Sequence, residues 1–267
     1  DSVKEAFHTC EQTSRTLEYA FDDFAVAQMA KMLGHDDDYN NLMVRSQNWK
    51  NVINPKTGWA DGRYANGKWL GRKDLVNRQS FITEGSICHY SWYVPHDVAG
   101  LVERMGGKVE FEHRLDMMFA LNDSSSAARL LYWHGNEPCH QIPFLYSYIG
   151  KPEKTKRVVT NILKTEYNDT PGGLSGNDDA GQMSAWYMFA AMGFYPVCPS
   201  TPYYIIGSPS FDRVTFNLEN KKQFEIIRQK SINNSNFVRL ILNGKQLDNY
   251  QLSHGDIING GKLIVEE

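Results

Sequence analysis

Basic surplus is missing from this 267-residue sequence: 28 Lys and Arg face 31 Asp and Glu, a formal charge of −3 at pH 7. Gripping a phosphate backbone takes clustered cations, so charge argues against a nucleic-acid partner. Long apolar runs are missing as well. None approaches the roughly 18 residues of a bilayer-spanning helix, and the opening DSVKEAFHTC lacks the charged-then-apolar order of a targeting peptide. Cysteine is scarce: Cys10, Cys88, Cys139 and Cys198 form no C-x-x-C pair and no Cys/His group at zinc spacing, and are expected to be free core thiols. No repeat of about 20 to 50 residues is present. The acidic run Asp36, Asp37, Asp38 lacks the later Gly and Glu of a calcium-binding EF-hand. The sequence starts at Asp1 without Met and passes at once into helix-like sequence, so a processed or cut start is expected.

What is present is length enough for a core without disulfide staples, and aromatic residues at 12%, including 6 Trp and 14 Tyr. Many of these sit in Gly-rich connecting stretches, a distribution that suits a saccharide-binding cleft and suits packing lids equally well. From Thr13 to Leu33, apolar residues recur at steps of three and four, predicting an amphipathic helix with Ser14 as its cap and Gly34 as its stop. A second helix is expected after the 36–38 acidic run. Residues 54–78 read as a long aromatic loop, a kind that is usually functional. Further helices are predicted over 82–92, 95–105, 111–121, 141–148, 155–166 and 180–192. After Pro196 the pattern changes to short β-type runs at 203–206, 213–217, 224–228, 237–242 and 262–265, with turns at Asn243, Gly244 and at Gly260, Gly261. The chain therefore reads as mainly α, a helical part over 1–196 followed by a β-rich region over 197–267.

Three stretches carry chemistry-bearing groups. In SFITEGSICHYSW, Glu84 opens an aromatic-rich helix; a carboxyl packed on Phe81, Tyr90 and Trp92 would have its pKa raised by desolvation, as a general acid requires. The alternative is a helix-start carboxylate facing the macrodipole. In LYWHGNEPCHQIPFLYSYIG, Asn136 and Glu137 offer neighbouring hard oxygen ligands and Gly135 a close carbonyl, as calcium requires, or else simply cap a helix, with His134 and His140 structural. In GGLSGNDDAGQMSAWYMF, Asn177, Asp178 and Asp179 stand among glycines before a helix, suited to orienting a water or a metal and equally to capping.

Taken in order, EGS with HYSWYVPHD, GNEPCHQIPFLYSYIGKP, GLSGNDDAGQMSAWYMFAAMGFYPVCP and YYIIGSPSFDRV resemble glycoside hydrolase family 92, from SRTLEYAFDDF to HGDIINGGKL. That resemblance implies inverting, exo-acting hydrolysis of α-mannosides, of α-1,2 type, in N-glycan or mannan substrates, with Ca²⁺ in the sugar site. It implies the later half of an (α/α)6 barrel with a C-terminal β region, and an N-terminal β-sandwich that is not among these residues. Matched position by position, the resemblance implies Glu84 as the general acid and Asp179 as the base, Gly135, Asn136 and Glu137 as metal ligands, and Asn177, Asp178, His134, Trp133 and Gln182 in substrate or supporting positions. The sequence departs from the family pattern in two places. Ser86, Ile87 and Cys88 stand where relatives often carry Asn, Ala and Trp, and Asn177 stands where many carry Asp. An inverting pair also implies carboxyls about 6.5 to 9.5 Å apart. An extracytoplasmic location is implied by the family alone. The rival readings are another (α/α) barrel glycosidase and a noncatalytic carbohydrate-binding fragment.

Overall fold

The computed structural model describes residues 11–71, 74–121, 131–230 and 239–267. Chain contacts divide it into two compact units, Asp1–Cys139 and His140–Glu267. Cys10 lies outside the described residues. Cys88, Cys139 and Cys198 are buried free thiols.

In the first unit, α1 (Gln12–Met32) buries Leu17, Ala20, Ala27 and Ala30, the three-and-four stepping that the sequence displays. Ser14 is not its cap. Glu11 takes that place at φ 66, and Ser14 lies fully buried inside the first turn, its Oγ accepting the Thr83 N–H at 3.0 Å. A second contact, Ser14 Oγ to Thr83 Oγ1 at 2.9 Å, fixes the segment next to Glu84 against the helix. The acidic run forms the first turn of α2 (Asp36–Arg45) rather than preceding it, where carboxylates complement the helix dipole. Arg45 at its end grips Asp23 of α1 at 2.9 Å.

The 54–78 stretch holds no regular element among its described residues. Three isolated bridges, Ile53 to Ala60, Arg63 to Trp69 and Arg78 to Ser86, pin it instead. Its aromatics are held by cations, with Arg63 over Trp69 and Arg114 over Trp59 at 5.0 and 4.7 Å. The helix expected over 82–92 shrinks to one turn, α3 (Ile87–Tyr90), because Ser86 caps it and the preceding residues bend. Next come α4 (Val98–Arg104) and α5 (Lys108–Met118), both shorter than expected or shifted.

The second unit starts with a 3-10 turn, Ile142–Phe144, leading into α6 (Leu145–Tyr148). It continues with α7 (Pro152–Thr165), which buries Thr155, Val158, Val159 and Ile162, and α8 (Gln182–Met192). At Gly193 the chain changes from helix to strand. A three-stranded antiparallel sheet joins β1 (Phe194–Tyr195), β2 (Tyr203–Ile206) and β7 (Gln251–Ser253) in the order β1-β2-β7.

The remaining strands are β3 (Arg213–Asn217), β4 (Gln223–Gln229), β5 (Arg239–Leu242), β6 (Lys245–Gln246) and β8 (Gly261–Glu266). They form a second sheet, β3-β4-β8-β5-β6, in which β4 and β8 pair in parallel and the other pairs are antiparallel. A short helix, α9 (His254–Asn259), with a Ser253/Asp256 capping box, connects β7 to β8. Alternate residues Phe224 and Ile226, with Leu240, Leu263 and Val265, form the sheet's buried face.

Candidate active site

Glu84 occupies a bend two residues ahead of the Ser86 cap, at φ +45. A left-handed non-glycine residue is costly, so surrounding contacts must impose it. Ser14 holds Thr83 on one side, and on the other the Ser86 side chain accepts the His89 N–H at 3.3 Å. The aromatic packing expected around Glu84 is absent: Phe81, Tyr90 and Trp92 are buried while the Glu84 side chain is exposed, with no hydrogen bond to a described residue. The bend turns the carboxyl out toward solvent. Tyr90 donates instead to Glu18 at 2.9 Å.

In the same unit, the WHGNE stretch lies beside this bend. The buried Asn136 directs its Nδ2 to the Glu84 carbonyl at 3.5 Å, a long contact that joins the two motifs. His134 is buried and its Nδ1 lies 2.7 Å from the Tyr132 hydroxyl, which fixes the ring as a support. Trp133 is 44% exposed, a platform of the kind sugars stack on. Glu137 begins a 3-10 turn, Glu137–Cys139, and is half-buried.

Gly135, Asn136 and Glu137 would contribute a carbonyl, a carboxamide and a carboxylate. This is an all-oxygen set, chemically suited to a hard cation such as calcium, which takes six to eight oxygens and leaves room for water or sugar hydroxyls. Among the described residues no three His, Cys, Asp or Glu side chains group as a metal site, so a transition-metal cluster of that kind is not formed there.

The second unit holds the third motif, in a loop closed by the Tyr167 to Leu174 bridge. Gly173 is required there, because a Cβ would collide with the Asn168 carbonyl. The two neighbouring aspartates have separate duties. Asp178 is committed: its Oδ1 accepts the Ser184 N–H at 2.8 Å, its Oδ2 the Ser184 hydroxyl at 2.9 Å, and its carbonyl the Gln182 N–H at 2.7 Å.

Asp179, at φ +40, is the first of three left-handed residues, followed by Ala180 and Gly181. Its carboxylate is exposed and bonds no described group. Asn177 is exposed beside it. Gln182 reaches His140 Nδ1 and the Tyr195 hydroxyl at 3.2 and 3.4 Å, and the His140 carbonyl accepts the Trp186 indole N–H at 2.9 Å. Gln182 and His140 thus brace α8.

One residue near the first two motifs has no signal in the sequence. His89 is buried, and neither ring nitrogen has a hydrogen-bond partner among the described residues. Burial also holds its pKa below the usual histidine value. Only the folded chain reveals it, since a lone histidine in a motif is ordinarily a satisfied core residue.

The first unit presents an exposed carboxylate on a strained turn, an oxygen-rich stretch and an exposed indole, and the second unit presents a further exposed carboxylate on a strained turn. The family model described as the glycosyl hydrolase family 92 catalytic domain matches residues 2–266, and the chain belongs to that family. It is similar to a family GH92 α-mannosidase of Bacteroides thetaiotaomicron, with 42% identity and a TM-score of 0.86 over 96% of this chain and 34% of that one. It is also similar to a family GH92 inverting mannosidase of the same organism, with 35% identity and a TM-score of 0.83 over 97% and 37%. A protein of Arthroderma benhamiae described as an uncharacterized secreted glycosidase is 30% identical over 283 residues, 96% of this chain and 35% of the relative. The chain thus spans about a third of the length of the relatives it matches.

Proposed function

We propose that this chain carries the acid, base and metal-ligand residues of an inverting, exo-acting α-mannosidase that removes terminal mannose, of α-1,2-type linkage, from N-glycan or mannan substrates. The observation that supports the reading most directly is the pair of exposed carboxylates, Glu84 and Asp179, each held at a positive φ and each without a hydrogen-bond partner among the described residues. Strain of this kind is retained where a function needs it.

Glu84 protonates the departing glycosidic oxygen. Asp179 takes a proton from the attacking water, and inversion follows from a single displacement. Asp178 and Ser184 hold the turn that presents Asp179, while Trp133 packs on the sugar, and Asn177, His134 and Gln182 line or support the site. Gly135, Asn136 and Glu137 would hold Ca²⁺, which would supply Lewis-acid polarisation and orientation of the sugar hydroxyls. A β-sandwich elsewhere in the full-length protein completes the site, and the helices of 1–196 belong to an (α/α)6 barrel followed by the β-rich region 197–267. An extracytoplasmic location accords with the secreted description of the fungal relative. No helix among the described residues is long and apolar enough to cross a membrane.

The test is release of mannose from a panel of α-mannobioses by the full-length protein, with the anomeric product followed by NMR. Initial release of β-mannose from the α-1,2 disaccharide supports the reading. Release of α-mannose sinks the inverting assignment, and preference for another disaccharide sinks the linkage. The 267-residue chain alone is expected to be inactive.

A further inference from the structure

Among the described residues, His89 is a buried side chain whose polar atoms find no partner, and it lies where the first two motifs meet. Its backbone is fixed. The His89 N–H is bound by the Ser86 cap, both hydroxyl and carbonyl, so the ring's place follows from the turn that also sets Glu84. Gly85 locates the ring: a Cβ built there would lie 3.2 Å from His89 Nδ1 and 3.5 Å from Asn136 Nδ2. Imidazole and carboxamide therefore face the same small space under the Glu84–Gly85 bend, the Asn136 amide making a long contact to the Glu84 carbonyl. Two unsatisfied ring nitrogens in a buried place disfavour the fold and call for a functional explanation.

We propose that His89 is a positioning residue for Asn136: its imidazole acceptor nitrogen takes the Asn136 Nδ2–H when the carboxamide oxygen turns to a calcium ion. This rests on the calcium reading of the Gly135–Glu137 stretch given above. A neutral imidazole has one nitrogen free to accept. The bond would fix which end of the carboxamide meets the cation, the office that outer partners of metal ligands commonly fill. No chemical step passes through His89.

Calcium titration by calorimetry on the full-length protein, with thermal melts in chelator, separates this role from a packing role. His89→Leu removes both unsatisfied nitrogens, so in chelator it is expected to melt no lower than the parent. Its calcium affinity should nevertheless fall about 10- to 100-fold. His89→Gln, which restores an acceptor, should recover most of that affinity. Three results overturn the proposal: unchanged calcium affinity in His89→Leu, a loss of affinity that tracks an equal loss of stability in chelator, or failure of His89→Leu to fold. If the parent takes up no calcium, the metal reading itself fails and this inference falls with it.

Discussion

Asp178 and Ser184 are joined by two hydrogen bonds, the carboxylate accepting the backbone N–H at 2.8 Å and the hydroxyl at 2.9 Å. The pair starts α8 and spends both oxygens of one aspartate, which leaves its neighbour, Asp179, as the carboxylate of that pair open to a substrate water. Asp178→Ala is expected to cost about 1 to 2 kcal/mol, the usual loss for an acceptor at a helix start, read as a lower melting temperature. Asp179→Asn is expected to leave the melting temperature in place, since Asn tolerates left-handed backbone. It should lower kcat about 10²- to 10⁴-fold through loss of the base. Equal stability losses in the two variants would contradict this division.

Glu84→Gln keeps the shape of the bend and removes the transferable proton. The expected fall in kcat is again about 10²- to 10⁴-fold for a natural disaccharide. For an aryl mannoside with a strongly acidic leaving group the fall should be much smaller, because that group departs without protonation. Comparing the two substrates in one variant checks the assignment. Similar losses on both would argue against an acid role.

Chelator treatment of the full-length enzyme is expected to abolish turnover, and added calcium to restore it. Glu137→Gln removes the single charged donor of the oxygen set, so calcium affinity measured by calorimetry should fall by at least an order of magnitude. Full activity in chelator would exclude a metal role for the stretch.

His96 carries a pH prediction. Its Nε2 lies 3.0 Å from the Ser46 carbonyl, its Nδ1 is buried without a partner among the described residues, and Phe21 and Phe24 lie against the ring. Burial holds its pKa below the usual value against the opposing pull of the Ser46 carbonyl and Asp97. With the folded pKa depressed, the unfolded chain binds the proton more readily, so stability is intact above the ordinary histidine pKa and declines as pH falls below about 6.5. His96→Phe keeps ring packing and should show a shallower fall in melting temperature between pH 7.5 and 5, from a lower starting value.

Gly193 ends α8 at φ +97, and a Cβ there would stand 2.8 Å from the Pro209 nitrogen. Gly193→Ala therefore meets both left-handed strain and a backbone clash. A loss of at least about 1 to 2 kcal/mol is expected from the strain alone, measured by denaturant unfolding.

Much of this architecture is readable from residue order, though unevenly. The stepping of Thr155, Val158, Val159 and Ile162 specifies α7 closely, because one face of that helix is buried and the other is wet. The strands β2 and β3 also fall where alternation and β-branched residues place them. The 82–92 region misleads for a physical reason: its apolar residues are buried by the surrounding core, not arranged along a helix, and Ser86 caps only one turn. Motif order singles out Glu84, Asn136, Glu137 and Asp179, and the fold shows Glu84 and Asp179 exposed at positive φ. The division between Asp178 and Asp179 is invisible in the letters, since either could cap or catalyse until Ser184 claims one of them. His89 escapes for the same reason: an unmet hydrogen bond belongs to a three-dimensional environment.

The place of β8 bears on how the molecule comes into being. Gly261–Glu266 is the middle strand of its five-stranded sheet, yet it is the last of the five to be synthesised. Its parallel partner, β4, begins at Gln223 and must wait through the intervening hairpin and α9 before it is paired. During translation the backbone edge of β4 that later pairs with β8 remains an open template for wrong pairing. Ribosome pausing, or slow release near the β8 codons, would lengthen that exposure, and chaperone demand should peak at that point.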